Sequence, residues 1–178
     1  GILPVVGIPM HFAGTDEREH LELLSSRAAN RGEFVALKNV LTAPEAKALL
    51  GGAQLAFGIS YHSAVFSLSS GVPYLGLYRG AHYEQKMLGL ADLFDVPSLP
   101  VPIDDTPPAV FERRLLDLLE ARDRLGPRLQ QRAAQIAAEV GASRARVLAA
   151  VPQAPQAALP SPLPSPLRME RSNPPSTN

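Results

Sequence analysis

Short apolar runs alternate with helical patterns along the first half of the chain, and this alternation constrains the fold more than any other feature. The apolar runs are typical of buried strands, and the segments between them have helix caps and helix-ending glycines. The predicted strands are Val5 to Ile8, Phe34 to Leu37, Leu55 to Ile59, Tyr74 to Tyr78 and Leu99 to Val101. Because strands joined by crossover helices run parallel, the order predicts an α/β fold with a doubly wound, mostly parallel sheet and covering helices.

The predicted helices have recognisable ends. Thr15 or Asp16 is expected to cap the first helix, and Thr42 to Glu45 has the pattern of a capping box, with Gly51 and Gly52 ending that helix. The chain after residue 108 reads as two covering helices separated at Gly126 and Pro127. Their apolar stripes are Val110, Phe111, Leu115, Leu118 and Leu119 in one helix and Leu129, Ala133, Ile136, Ala137 and Val140 in the other.

Length and composition predict one globular domain, residues 1–150, followed by a tail. The chain has 178 residues, of which 46% are hydrophobic, which is enough for a core. Residues 152–178 contain eight prolines, so residues 151–178 are predicted to be a disordered, proline-rich tail, and a PxxP ligand for an adaptor domain is an alternative. The start at Gly1, without a methionine and directly before a strand, is typical of a piece of a longer protein.

Charge and cysteine content exclude several classes of function. Lysine and arginine number 17, as do aspartate and glutamate, so no net field favours nucleic acid or an anionic membrane. The absence of cysteine excludes disulfides and thiolate chemistry. No apolar run reaches the roughly 20 residues that cross a bilayer, and no secretion signal begins the sequence, so a cytoplasmic location is expected.

Polar residues follow the third predicted strand at the point where a helix begins. Ser60 and Tyr61 are expected to turn the chain, and His62 and Ser63 to open the helix. Ligands in doubly wound folds bind outside the carboxyl ends of the strands, near helix amino termini. His62 could donate a hydrogen bond or a proton to an anion there, whereas a structural role as a cap or a bridge between loops stays open.

Two further loops are expected at the same edge of the sheet. Arg79 and Lys86 follow the fourth strand and could bind a phosphate or carboxylate, or could simply be a solvated basic helix start. His11 and Asp16 follow the first strand. The histidines have no recognised metal-ligand spacing, so neither a metal nor a cofactor is predicted; they are His11, His20, His62 and His82.

Several of these motifs, taken in order, resemble the carboxyl-terminal half of the polysaccharide pyruvyl transferase family. The matching segments are IPMH with Asp16, SYHS, GVPYLGLY and HYEQKMLGL, over roughly residues 4 to 97. The resemblance implies one Rossmann-like half of a GT-B architecture, with the active cleft between this half and a missing amino-terminal half of the same enzyme.

The resemblance also implies a chemistry and roles for particular residues. Members are thought to transfer a pyruvyl group from phosphoenolpyruvate to two hydroxyls of a sugar, forming a ketal on a cell-surface polysaccharide or its precursor. His62 matches the histidine of the motif and would be the general acid or phosphate donor. Lys86 matches a downstream lysine, and His11 and Asp16 match the first loop more loosely. The partners implied are a small-molecule donor and a saccharide acceptor.

One position departs from the family pattern. Ser60 occupies the place of an arginine two residues before the histidine, and serine cannot bind a carboxylate or phosphate bidentately. Arg79 could replace that arginine, the donor could differ, or the chain could be a non-catalytic binding domain. A nucleotide-sugar glycosyltransferase half is a further alternative, with Asp104 or Asp105 available to bind a ribose.

Overall fold

The computed structural model describes residues 4–10, 16–28, 34–96 and 100–151. Five strands and five helices alternate within these residues. They are β1 (Val5–Gly7), α1 (Glu17–Ala28), β2 (Phe34–Ala36), α2 (Ala43–Gly51), β3 (Ala56–Gly58), α3 (Tyr61–Ser69), β4 (Tyr74–Tyr78), α4 (Ala81–Leu93), β5 (Pro100–Pro102) and α5 (Pro108–Ala150). The predicted α/β class is confirmed, and the strands lie within one or two residues of their predicted bounds.

All strand pairs in the described residues are parallel, as predicted, but the strands form two sheets. β1 pairs with β2, and β3, β4 and β5 form a second sheet with β4 in the centre. The register aligns Gly58 of β3 with Gly76 of β4, and Tyr78 of β4 with Pro102 of β5. The carboxyl ends of β3, β4 and β5 therefore lie along one edge of the sheet.

The core lies between the three-stranded sheet and the helices that cover it. Tyr74 and Leu75 of β4 are buried, and α3, α4 and α5 pack buried side chains onto the same cluster. Those helix residues are Ala64, Leu68, Met87, Leu90, Leu118 and Leu129. Ile8, immediately after β1, also contacts this cluster, so the end of the first strand lies against the body formed by the other three.

The helix ends follow the predicted chemistry closely. The Glu45 carboxylate accepts hydrogen bonds from the Thr42 backbone N–H and hydroxyl, both at 2.7 Å, and α2 ends at Gly51. α1 begins at Glu17, and the Asp16 carboxylate accepts from the Arg18 backbone N–H at 3.0 Å. Thr15, the other predicted cap, lies outside the described residues.

The prediction of a helix break at Gly126 and Pro127 is wrong, because α5 is one helix of 43 residues. Packing explains why the helix continues through both residues. Leu129 is only 1% exposed, and a Cβ on Gly126 would lie 3.2 Å from the Gly71 carbonyl oxygen, so α5 lies close against the end of α3. Proline lacks one backbone N–H, and this packing outweighs the lost helical hydrogen bond.

The predicted apolar stripe of α5 is only partly a core face. Ala133 and Ile136 pack on the core cluster, but Ala137 is exposed and Val140 is 61% exposed. The helix extends past the body at this point, so these two positions were wrongly assigned to a covering surface. The predicted domain of residues 1–150 stays a prediction, and the predicted tail lies outside the described residues after Val151. Within the described part of the chain, no helix combines the length and apolar character that a bilayer span requires.

Candidate functional site

Ser60 connects β3 to α3 and is the amino-terminal cap of that helix. Its hydroxyl oxygen accepts a hydrogen bond from the Ser63 backbone N–H at 3.3 Å, and its carbonyl accepts from Ala64 at 3.1 Å. Serine is a preferred residue at this position because its short side chain reaches the free N–H groups of the first turn. The residue at the place of the family's arginine therefore has a structural role.

His62 lies in the first turn of α3 and is exposed to solvent. Its ring makes an edge-to-face contact with Tyr61, with the ring centroids 6.1 Å apart. Ser63, by contrast, is 8% exposed and is one of the buried residues of this helix. The imidazole is thus outside the apolar core and beside the positive end of a helix, where an anion is favoured.

The carbonyl of Ser60 also accepts a hydrogen bond from a buried tyrosine. The Tyr74 hydroxyl donates to this carbonyl at 3.2 Å, and Tyr74 is only 2% exposed. Burial raises the pKa of Tyr74, and the negative charge of Glu17 raises it further, so the hydroxyl stays a donor. Gly58 has φ +154°, and a Cβ there would lie 3.2 Å from the same hydroxyl, so glycine leaves room for the tyrosine.

The sequence did not indicate this role of Tyr74. The residue begins β4, opposite Ala56 in the register, and its side chain reaches a loop that follows β3. Only the pairing of two strands brings these positions together, and no local pattern encodes that pairing. A tyrosine at the start of a strand that otherwise reads as fully buried was the single available signal, because a buried phenol normally needs a hydrogen-bond partner.

Arg79 follows β4 at the same edge of the sheet and is bound to an acidic residue. Its Nε atom donates to both carboxylate oxygens of Asp104, at 3.0 and 2.9 Å. This bond raises the pKa of Arg79 above its ordinary value. Asp104 follows β5, so the guanidinium is directed to the side of β4 that faces away from β3 and His62.

Lys86 lies on α4 and is exposed. Its Nζ atom is 5.5 Å from the centroid of the Tyr83 ring, which is within the range of a cation–π contact. Neighbouring Tyr78 donates to the Glu84 carboxylate at 3.2 Å, and its pKa is raised by desolvation and by the charge of Glu84. The first turns of α4 therefore contain the acidic Glu84 as well as the predicted cation Lys86.

The first loop is described only in part, since His11 lies outside the described residues. Asp16 forms an ion pair with Arg18, and hydrogen bonds from Arg18 lower the pKa of its carboxyl group. The Met10 backbone N–H donates to the Glu17 carboxylate at 2.7 Å. The negative charge of Glu17 also helps to raise the pKa of Tyr74.

The structure thus brings Ser60, Tyr61, His62 and Ser63 together and places Arg79 in the adjacent loop. It does not join Arg79 to His62, because Arg79 is bound to Asp104. No cluster of potential metal ligands occurs among the described side chains. A separate crevice of about 190 Å³ lies between the end of α4 and α5, and it includes none of the predicted site residues.

Parallel strands, crossover helices and a polar edge at the strand carboxyl ends define an α/β domain of the Rossmann-like class. The model of the polysaccharide pyruvyl transferase family matches residues 2–80 of the chain. This match supports the predicted resemblance to that family, and the matched residues include β1 to β4, His62 and Arg79. The match ends before Lys86, so that lysine keeps its assignment only as a prediction. No curated protein matches the chain significantly.

Proposed function

We propose that this chain forms the donor-binding edge of a polysaccharide pyruvyl transferase that uses phosphoenolpyruvate. The observation that supports this most is the coincidence of two independent facts. The family match includes His62, and His62 is exposed in the first turn of a helix at the carboxyl edge of the sheet. A histidine that only filled space in the core would be buried.

The proposed reaction converts an enol phosphate into a ketal. A proton is added to the methylene carbon of phosphoenolpyruvate, which becomes a methyl group, and two sugar hydroxyl oxygens form bonds to the central carbon. The bond to the phosphate oxygen breaks, the phosphate leaves, and the hydroxyl protons pass to solvent and the released phosphate. Protonated His62 would supply the proton, or a hydrogen bond to the phosphate.

Phosphate binding would depend on the helix end and on the nearby cations. The free N–H groups of the first turn of α3 favour an anion, and Lys86 is exposed in the next helix. Arg79 would have to exchange Asp104 for the phosphate. Because the Arg79 and Asp104 side chains are 71% and 55% exposed, solvent screens their ion pair, so this exchange costs little.

Ligand binding to the chain itself can be measured first. Phosphoenolpyruvate should raise the melting temperature in a concentration-dependent way, whereas nucleotide sugars should not, since only a ligand of the folded state stabilises it. A shift with nucleotide sugars alone would favour the glycosyltransferase alternative. That alternative requires a carboxylate for the ribose, for which Asp104, now bound to Arg79, and the exposed Asp105 beside it are the candidates.

His62→Ala in the complete enzyme tests the catalytic role. We expect phosphate release in the presence of donor and acceptor to fall by about 10²-fold or more, which is the usual contribution of general acid catalysis. The melting temperature should stay the same because the side chain is exposed. His20→Ala, an exposed histidine on α1, is the matched control and should keep full activity. Near-normal turnover of His62→Ala would reject the assignment.

The remaining parts of the proposal concern the surroundings of this edge. A second domain would supply the opposite wall of the cleft, and a saccharide would bind between the two. His11, Asp16, Tyr61 and Ser63 would contribute contacts to donor or acceptor, and the enzyme would act in the cytoplasm. A non-catalytic binding domain remains the alternative that an inactive but ligand-binding protein would support.

A further inference from the structure

Tyr83 is a large aromatic residue on the core-facing side of α4, yet it is 48% exposed. Met87, Leu90 and Phe94 follow it at spacings of four, three and four residues, so the four side chains share one face of the helix. The other three side chains are buried in the core cluster. Tyr83 is therefore the member of this stripe that the body of the protein leaves uncovered.

The exposure of Tyr83 follows from its place at the end of the sheet. Met87 lies against the middle of β4, since a Cβ on Gly76 would be 3.0 Å from the Met87 sulfur atom. Tyr83 precedes Met87 by four residues, about 6 Å along the helix, and β4 ends at Tyr78, about 7 Å beyond Gly76. Because α4 runs back along β4, the Tyr83 ring lies at the carboxyl edge of the sheet, where α3 also begins.

The neighbouring helix α3 has a tyrosine at the corresponding place, but that tyrosine is better covered. Tyr61 precedes the buried Ala64 by three residues and the buried Leu68 by seven, and it packs against the core cluster. Helices α3 and α4 contact each other, and packed helices lie about 8–10 Å apart. A ligand on Tyr83 would thus lie beside an anion bound at the first turn of α3.

Polar groups border the exposed ring of Tyr83. The Lys86 Nζ atom lies over the ring, 5.5 Å from its centroid, and the His82 ring meets it edge to face at 5.6 Å. Glu84, which accepts a hydrogen bond from Tyr78, is the next residue along the helix. A sugar ring suits these surroundings, because its C–H groups stack on an aromatic ring while its hydroxyls bind polar side chains. A partner protein would need a far larger apolar surface than one ring.

We propose that Tyr83 is the residue on which the sugar ring of the acceptor stacks, and that it thereby determines acceptor specificity. The inference rests on the proposed function, which requires a saccharide acceptor, and adds where that saccharide binds. The sugar lies over the start of α4, and the donor lies over the start of α3 beside His62.

Acceptor kinetics of the complete enzyme test this role. Tyr83→Ala should raise the KM for the saccharide acceptor about tenfold and leave kcat and the KM for phosphoenolpyruvate nearly unchanged, because stacking contributes binding and not chemistry. Tyr83→Phe keeps the ring and should keep the wild-type KM. Leu88→Ala, which removes a similarly exposed apolar side chain from another side of α4, is the matched control. An unchanged acceptor KM in Tyr83→Ala would overturn the proposal.

The absence of tryptophan allows sugar binding to be measured on the chain itself. Tyr83→Trp introduces a single indole at the proposed stacking position. Methyl β-galactoside should change its fluorescence in a saturable way, because one face of this sugar ring is rich in C–H groups. Sorbitol, which has hydroxyls but no ring, is the control probe and should have no such effect. Equal responses to the two probes, or no response to either, would contradict the proposal.

Phosphoenolpyruvate separates a failure of this inference from a failure of the proposed function. A rise in melting temperature with phosphoenolpyruvate, without a fluorescence response to the galactoside, would refute the role of Tyr83 and leave the donor assignment intact. A saturable response to the galactoside without a thermal shift by phosphoenolpyruvate would support the sugar site and count against the donor.

Discussion

Two residues determine where the loop with His62 lies. Ser60 provides the cap of α3, and Tyr74 donates to the Ser60 carbonyl from the buried side. The Ser60 carbonyl also accepts the first helical hydrogen bond, from Ala64. One oxygen atom therefore connects the start of β4, the loop after β3 and the first turn of α3. Substitution of Tyr74 should therefore affect the loop as well as the core.

Tyr74→Phe should lower the free energy of unfolding by about 0.5–1.5 kcal/mol, because it removes one buried hydrogen bond while keeping the ring. Urea denaturation followed by circular dichroism would measure this. Tyr83→Phe is the matched control, since Tyr83 is 48% exposed, and its effect should stay within about 0.5 kcal/mol. Equal effects of the two substitutions would show that the Tyr74 hydroxyl bond contributes nothing.

The sequence predicted the positions of Ser60 and His62 because a local strand-to-helix pattern is enough to place them. It could not predict the hydrogen-bond partners of Tyr74 and Arg79. Tyr74 comes close to Ser60 only because β3 pairs with β4, and Arg79 comes close to Asp104 only because β4 pairs with β5. The expectation that Arg79 would face the site was based on its place in the chain. The bond to Asp104 depends on a residue 25 positions later.

At the scale of single elements, helix starts are encoded locally and helix lengths are not. The capping box of α2 lies where the sequence indicated it, because Thr42 and Glu45 interact across a single turn. The length of α5 depends on contacts with α3, and a rule based on glycine and proline alone ends that helix too early. Local hydrogen bonds are therefore the better predicted part of each element.

The contribution of Glu45 to stability should depend on pH. Hydrogen bonds from the Thr42 hydroxyl and backbone lower the pKa of Glu45 below its ordinary value of 4.5. A lowered pKa in the folded state means that the stabilisation is complete above the unfolded pKa and is lost as pH falls through the folded pKa. Acidification below the ordinary pKa should therefore remove it.

Melting temperatures of the wild type and Glu45→Gln would measure this effect. The difference between them should be largest near neutral pH and should disappear on acidification, when the wild-type carboxyl group is also uncharged. Glu120→Gln, an exposed position on α5, should show no comparable difference. A Glu45→Gln difference that grows as the pH falls would have the wrong sign for this account.

At the scale of the whole molecule, α5 joins distant parts of the chain. Gln130 donates to the Ser70 carbonyl at 3.4 Å, and Arg132 donates to the Leu93 carbonyl at 2.8 Å, so one helix contacts the ends of both α3 and α4. A close backbone approach is at Gly126, beside the Gly71 carbonyl. The parallel arrangement of the strands was predictable from the alternation of strands and helices in the sequence. The packing of α5 against α3 and α4 was not, because it depends on how the surfaces of the helices fit together.

Glycine-to-alanine substitutions would test how tightly α5 is docked. Gly126→Ala should destabilise the protein by about 1 kcal/mol, because the new Cβ would lie 3.2 Å from a backbone oxygen and overpack the contact. Gly89→Ala on α4 meets nothing within 4 Å and should stabilise by about 0.5–1 kcal/mol through helix propensity. Denaturant unfolding of both variants would measure their free energies of unfolding. If Gly126→Ala stabilises the protein as much as Gly89→Ala does, α5 is only loosely packed at Gly126.

The buried side chain of Tyr74 reaches from the start of β4 to the loop that follows β3. Its backbone begins β4, yet its oxygen ends beneath the loop with His62, and Leu68 and Met87 line the same small internal space as the ring. Repacking of the interior would therefore change the height and tilt of the loop above it. Mutations that repack the core and mutations that reposition the loop with His62 are consequently not independent in this protein.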